Sequence, residues 1–278
     1  MDQTTASCNA RFPMNAGMEI TFLGTGTSIG VPVIGCDCAV CTSNDPKNKR
    51  LRSSIYVETE EVTLVVDTGP DFRMQCLREG IRHLDAVLYT HAHTDHIMGF
   101  DDLRRFTVGQ DAVIDIYATE SCLERLKVSF DYVFDGKNHY RGYLKTAPHL
   151  IHGPFRIGDL DIAPLPVEHG RVETIGFLFT GKTGCRVAYV PDAKRVSEEA
   201  QEIIRGADLF VIDGLQPKPH WTHLSIPEAV ALADELDVKE TWLTHFSCRV
   251  DYLEMEPILP EGVHLAWDGL KLRVGAPS

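Results

Sequence analysis

Apolar positions recur along the chain in short bursts bounded by glycine, proline and charged residues, the pattern of strands alternating with short helices. Glu19–Leu23 predicts a strand ending at Gly24, and Ser54–Glu58 with Val62–Val66 predicts a hairpin. The second member of that hairpin is an unbroken apolar run, so it is expected to be buried on both faces. Asp71–Glu79 has helical spacing and a glycine stop at Gly80, and Ala86–Tyr89 is a further apolar strand. In the second half, Ile157–Pro164, Thr174–Thr180 and Arg186–Val190 read as strands, Ser197–Arg205 as a helix closed by Gly206, and Leu209–Ile212 as a buried strand. Ser225 and Glu228 form a capping box with Pro227 in the first turn, predicting a helix to Leu236. Thr241–Thr244 is a strand that stops at His245, and Asp268-Gly269 predicts a tight hairpin. Hairpins followed by helix-separated strands predict sheets with helices on their outer faces. No linker interrupts them, so one domain over 18–278 is expected, after a polar, irregular tail at 1–17.

Composition narrows this picture. The chain has 278 residues, 44% of them hydrophobic, enough for a sizeable core, and its 24% of charged residues is ordinary for a globular protein. No apolar run is long enough for a transmembrane helix, and the N-terminus lacks the apolar core of a secretory signal, so a cytoplasmic location is expected. The net charge of −13 disfavours long nucleic acids and anionic membranes as partners. The eight cysteines are then reduced thiols, and a cluster among them reads first as metal binding.

The richest chemistry follows the strand Ala86–Tyr89, in Thr90-His91-Ala92-His93-Thr94-Asp95-His96. Histidine and aspartate are ligands for the same divalent cations. Alternation in an extended loop lets His91 and His93 reach one ion, while Asp95 and His96 point elsewhere and suit a second. Three further candidates stand just past strand ends, where such folds place their sites: His169, Asp192 and His245.

This set resembles the metallo-β-lactamase superfamily, with Asp67, the His91–His96 motif, His169, Asp192 and His245 in the family's order. The resemblance covers nearly the whole chain from Met18. It implies an α+β fold (α/β by some schemes), an αββα sandwich of two mixed sheets flanked by helices. It implies that His91, His93 and His169 hold one divalent ion, that Asp95, His96 and His245 hold another, and that Asp192 bridges them. Asp67 is implied to orient a ligand from behind. Two ions about 3.5–4 Å apart acidify water and clamp both oxygens of an in-line displacement, which suits phosphodiesters. The ions could be Zn²⁺, Mn²⁺ or Fe²⁺.

Gly35-Cys36-Asp37-Cys38-Ala39-Val40-Cys41 supplies three thiolates to a Zn²⁺ that wants four. A cysteine triplet after the loop Gly24-Thr25-Gly26-Thr27-Ser28-Ile29-Gly30-Val31-Pro32 is similar to the phosphoribosyl cyclic phosphodiesterase (PhnP-like) group. There the fourth ligand is a His three residues after the last catalytic His. Here that position is Cys248, which implies a Cys₄ site of Cys36, Cys38, Cys41 and Cys248 around one structural Zn²⁺. Asp67–Arg73, Gly99–Arg104 and His245–Tyr252 resemble the same group. The glycine loop does not fit G-x-G-x-x-G, which excludes a dinucleotide-binding reading.

His223, just before the capped helix, is by resemblance the residue that contacts phosphate and gives a proton to the leaving oxygen; with Asp95 it is the catalytic candidate. Arg104 and Arg105 read either as phosphate ligands or as a solvated helix face. A long connection, Gly136–Pro154, carries His139, His149 and His152 without assigned roles and is a candidate lid. The expected activity is hydrolysis of a small cyclic or linear phosphodiester such as a phosphoribosyl cyclic phosphate. The alternatives are a tRNA 3′-processing nuclease, for which no basic arm is seen, a carbonyl ester or thioester hydrolase, and a non-catalytic PqqB-like protein. The expected partner is a small phosphate ester, not a membrane or long nucleic acid; a homodimer is the one protein partner entertained.

Overall fold

The computed structural model describes residues 17–107, 112–137 and 142–275, so the expected tail, up to residue 16, and His139 lie outside the described residues. Strands β1 (Met18–Gly24), β2 (Ser54–Glu58), β3 (Thr63–Val66), β4 (Ala86–Leu88), β5 (Ile114–Ala118) and β6 (Thr146–Leu150) run in that order across a first sheet. A second sheet is built from β7 (Phe155–Ile157), β8 (Leu160–His169), β9 (Val172–Thr180), β10 (Arg186–Val190), β11 (Arg195–Val196), β12 (Leu209–Asp213), β13 (Thr241–Thr244) and β14 (Val263–Leu265). Finally, β15 (Lys271–Val274) returns to pair with β1. Both sheets are mixed: β3 to β6 and β10, β12, β13 and β14 are parallel, the rest antiparallel.

Three apolar layers hold the sandwich. Ile20, Phe22, Val57, Phe177, Tyr189 and Val211 fill the space between the sheets. The helices Glu198–Ile204 and Ile226–Glu235 cover the outer face of the second sheet through Ala200, Ile204, Ala229 and Ala233. The helices Phe72–Glu79 and Glu120–Ser129, with a 3₁₀ turn at Phe100–Phe106, cover the first. Burial of both faces explains why β4 and most of β12 read as continuous apolar runs. The capping box at Ser225 and Glu228 forms as expected, and Gly80 ends its helix at φ 68°.

Three expectations are corrected. Asp268-Gly269 is not a hairpin: β14 pairs with β13 in one sheet and β15 with β1 in the other, so this turn carries the chain between sheets. The Asp268 carboxylate stabilises the crossing by accepting from the Thr25 and Leu51 amides at 2.9 and 2.8 Å. The expected strand Ile157–Pro164 is broken into β7 and β8 by a turn through Gly158, at φ 52°. Part of the connection Gly136–Pro154 is the edge strand β6 paired with β5, so residues 146–150 are sheet and not lid. Among the described residues no helix is long and apolar enough to cross a membrane.

Candidate metal centre

Every expected ligand lies at the carboxyl end of a strand, along one edge of the sandwich. His91 and His93 follow β4, and a single helical turn, Thr94–Ile97, then swings Asp95 and His96 to the other side. His169 ends β8, Asp192 stands two residues past β10, and His245 follows β13 directly. The ligand atoms of His91, His93 and His169 lie within 4.8 Å of one another, and so do those of Asp95, His96, Asp192 and His245.

Asp192 joins the two sets. Its Oδ2 lies 3.9 Å from His91 Nε2 and 3.6 Å from His169 Nε2. Its Oδ1 lies 3.4 Å from His96 Nε2 and 3.3 Å from His245 Nε2. Each carboxylate oxygen thus faces a different pair of histidines, an arrangement that suits a carboxylate shared between two ions.

Groups behind the ligands set their orientation. His96 Nδ1 sits 2.7 Å from Asp67 Oδ2, which turns Nε2 toward Asp192. Asp67 also accepts from the Thr90 amide and hydroxyl at 2.8 Å each, and Thr90 Oγ1 is 2.9 Å from His91 Nδ1. His169 Nδ1 donates to the Thr222 carbonyl at 2.9 Å. Asp67 and His245 themselves adopt left-handed backbone, φ 65° and 62°, a strain of order 1–3 kcal/mol each that clusters at functional positions.

Does this shell fit divalent cations? Burial holds His91 well below the usual imidazole range and lowers His93 and His169, leaving neutral rings with lone pairs to give. At His96 burial also disfavours charge, but Asp192, Asp95 and Asp67 reverse it and hold the ring well above its ordinary value. Three carboxylates thus converge on one imidazole, a deficit of positive charge that a cation would meet. His96 Nε2, Asp192 Oδ1 and His245 Nε2 are buried and, among the described residues, have no hydrogen-bond partner. Buried polar atoms are rarely orphaned, and these three face the same space. The residues fit two divalent cations.

The thiols assemble too. Cys36, Cys38, Cys41 and Cys248 bring their sulfurs within 4.8 Å of one another, a set that fits one tetrahedral Zn²⁺. Hydrogen bonding, led by the Cys41 backbone amide, lowers the Cys38 thiol to about 7, whereas burial pushes Cys41 up to about 12 and raises Cys248, so without a cation only Cys38 moves toward the thiolate. This cluster is tied to the main centre: Thr27 donates to the Phe246 carbonyl and Phe246 to the Thr25 carbonyl, at 2.9 and 2.8 Å, beside His245. Buried Arg50 reaches the Val250 and Ser247 carbonyls at 2.8 and 3.3 Å, fixing the loop between His245 and Cys248.

The centre opens into a cavity of about 260 Å³ lined by His93, Asp95, His169, Asp192, His223 and His245. His223 is thus among the lining residues. Its partner was not foreseen: Asp213, ending β12, holds His223 Nδ1 at 2.7 Å and also accepts from the Ala193 amide. Burial pushes Asp213 well up and His223 down, so both shifts oppose separated charges. Arg171 and Ser28 on the cavity wall were also missed. Arg104 and Arg105 do not line this cavity but a different one. His149 pairs with Asp115, His83 with Asp85 and His264 with Glu256, all away from the centre.

Known proteins share this fold. The sequence profile of the Beta-lactamase superfamily domain matches residues 63–246. A Porphyromonas gingivalis protein named octanoyltransferase is 37% identical over 259 residues, which cover 91% of this chain; the chain spans about half (51%) of that relative's length. Coenzyme PQQ synthesis protein B of Methylorubrum populi is 29% identical over 224 residues, 71% of this chain and 73% of that protein. A crystal structure described as a new diphosphatase from the PhnP family superposes with a TM-score of 0.84 at 39% identity, covering 92% of this chain and 97% of that one.

Proposed function

Because the chain belongs to the metallo-β-lactamase superfamily, we propose that it is a dinuclear metal-dependent hydrolase that cleaves small phosphodiesters, cyclic or linear. The observation that carries this reading is Asp192, with one oxygen turned to His91 and His169 and the other to His96 and His245. In this reading His91, His93 and His169 hold one cation and Asp95, His96 and His245 the other, with Asp192 between. When bound, two such cations supply acidified water and neutralise charge on a transferring phosphoryl group.

The chain's own residues do the rest. His223 lines the cavity, where its Nε2–H would give its proton to the leaving oxygen as the proton of the Asp213 carboxyl passes to Nδ1. Asp213 fixes the orientation of that ring. Arg171, exposed on the rim, offers a guanidinium to a phosphate oxygen. A polar cavity of about 260 Å³ suits a small ester rather than a folded tRNA. The resemblance to a diphosphatase extends the substrate class to diphosphate esters, whose ester-bearing phosphorus also carries two bridging oxygens. The four thiols would hold a structural Zn²⁺ and so brace the His245 loop. The similarity to a protein named octanoyltransferase favours one second reading, hydrolysis of an acyl thioester, since the same cations would polarise a carbonyl.

The test is turnover by the Mn²⁺- or Zn²⁺-loaded protein of bis(p-nitrophenyl) phosphate, a ribose cyclic phosphate, a dinucleoside diphosphate and an octanoyl thioester. Cleavage at phosphorus supports the proposal; cleavage of the thioester alone transfers the case to the second reading.

A further inference from the structure

A second cavity, of about 910 Å³, lies between the helix Phe72–Glu79 and the 3₁₀ turn Phe100–Phe106. It shares no lining residue with the metal centre. Four guanidinium groups border it: Arg73, Arg82, Arg104 and Arg105. Against them stands one lining carboxylate, Asp102. Among the described residues only Arg104 of the four holds an ion pair, with Asp101 at 3.5 Å. The remaining wall is apolar, with Leu77 62% exposed and Ile81 and Phe106 half-buried. In a chain of net charge −13, four arginines around one concave apolar surface is a local reversal of sign.

A solvated helix face explains arginines that point apart into water. It does not explain arginines from two separate elements bordering the same concavity, nor a leucine left bare among them. Guanidinium forks match phosphate oxygens in pairs, and apolar walls match a ring or alkyl body. The volume lies within the range of small-molecule sites. We propose that this cavity binds a phosphate monoester carrying an apolar body, at a site separate from the metal centre.

The position gives such an occupant a route to the centre. The helix Phe72–Glu79 follows Asp67 and the 3₁₀ turn follows His96. The two segments are clasped by Thr68 donating to the His96 carbonyl and Gly99 to the Thr68 carbonyl, each at 2.8 Å. A phosphate shared by Arg73 and Arg104 ties them together from outside.

Calorimetric titration of the metal-loaded full chain with adenosine monophosphate, decyl phosphate and inorganic phosphate tests this. The two esters separate an aromatic from an alkyl body, and inorganic phosphate lacks either. Expected is binding of at least one ester more tightly than inorganic phosphate. Arg73→Gln/Arg104→Gln should weaken it at least tenfold, and His93→Ala should leave it unchanged. Arg82→Gln/Arg105→Gln gives an independent variant should the first fail to fold, with folding checked by circular dichroism. Binding that survives both arginine pairs but vanishes in His93→Ala overturns the proposal, as does the absence of ester binding at millimolar concentration. Neither result bears on what the metal centre hydrolyses.

Discussion

Asp213 holds the Nδ1 of His223 at 2.7 Å, and the carboxylate is fully buried beneath the floor of the metal centre. A histidine anchored on one nitrogen by a buried carboxyl has a single orientation to offer a substrate. Asp213→Asn should therefore lower kcat on a phosphodiester by about 10²-fold or more while leaving KM and the metal content near wild type. His223→Ala should fall similarly, and the double variant should be little worse than either. Steady-state kinetics of the three, with metal analysis, checks this; additive losses would separate Asp213 from His223.

The two metal sites should fail differently. His93→Ala is expected to reduce activity by more than about 10³-fold with the fold intact, because that ring is half-exposed and bears no core packing. Cys38→Ala should instead lower stability, by an amount of order 3 kcal/mol, or roughly 10 °C in Tm. Metal analysis should give about three ions per chain in the native protein and about two in Cys38→Ala.

Close backbone approach positions Asp95. A Cβ added at Gly99 would stand 2.1 Å from the Gly69 carbonyl oxygen, and one added at Gly69 would stand 2.1 Å from that of Asp95. Gly99→Ala should cost about 1–3 kcal/mol and lower activity beyond that loss, as the turn bearing Asp95 and His96 is pushed off. Chemical denaturation with activity measured on the folded fraction separates the two effects.

Asp268 gives a pH dependence. Burial pushes its carboxyl up to about 6, against the pull of the Leu51 amide, Arg78 and Thr25. A folded-state value above the unfolded one means that the folded chain binds the extra proton. The contribution to stability is complete below about pH 4 and is lost as pH rises through 6. Between pH 5 and 7.5 the wild type should lose stability of order 1 kcal/mol relative to Asp268→Asn, in which that group no longer titrates. Denaturant midpoints at both pH values measure it; a constant difference would place the Asp268 titration elsewhere.

Much of this was legible from sequence because the ligands carry their own signals. Arg186–Val190 and Thr241–Thr244 are strands at the expected bounds, and Asp192 and His245 stand past their ends. Residues whose role depends on tertiary company were not legible. Asp213 ends an ordinary apolar strand, and nothing local announces that His223, ten residues on, folds back over it. Asp268-Gly269 carries a hairpin signal, yet its flanking strands belong to different sheets, and turn chemistry holds no information about that choice. In β6, Pro148 and His149 break the alternation expected of a strand, and only an edge position tolerates them. Arg104 and Arg105 were visible, but which cavity they border is decided by how the 3₁₀ turn packs.

The central claim, that Asp192 joins two catalytic cations for phosphodiester hydrolysis, is tested most directly by titrating the chelator-stripped protein with Mn²⁺ after its thiol site is filled with Zn²⁺. Turnover of bis(p-nitrophenyl) phosphate is the readout. The account predicts little activity at one equivalent, a rise to full activity as the second binds, and no such rise in Asp192→Ala. Full activity at a single equivalent, or no phosphodiester turnover with both filled, would contradict it.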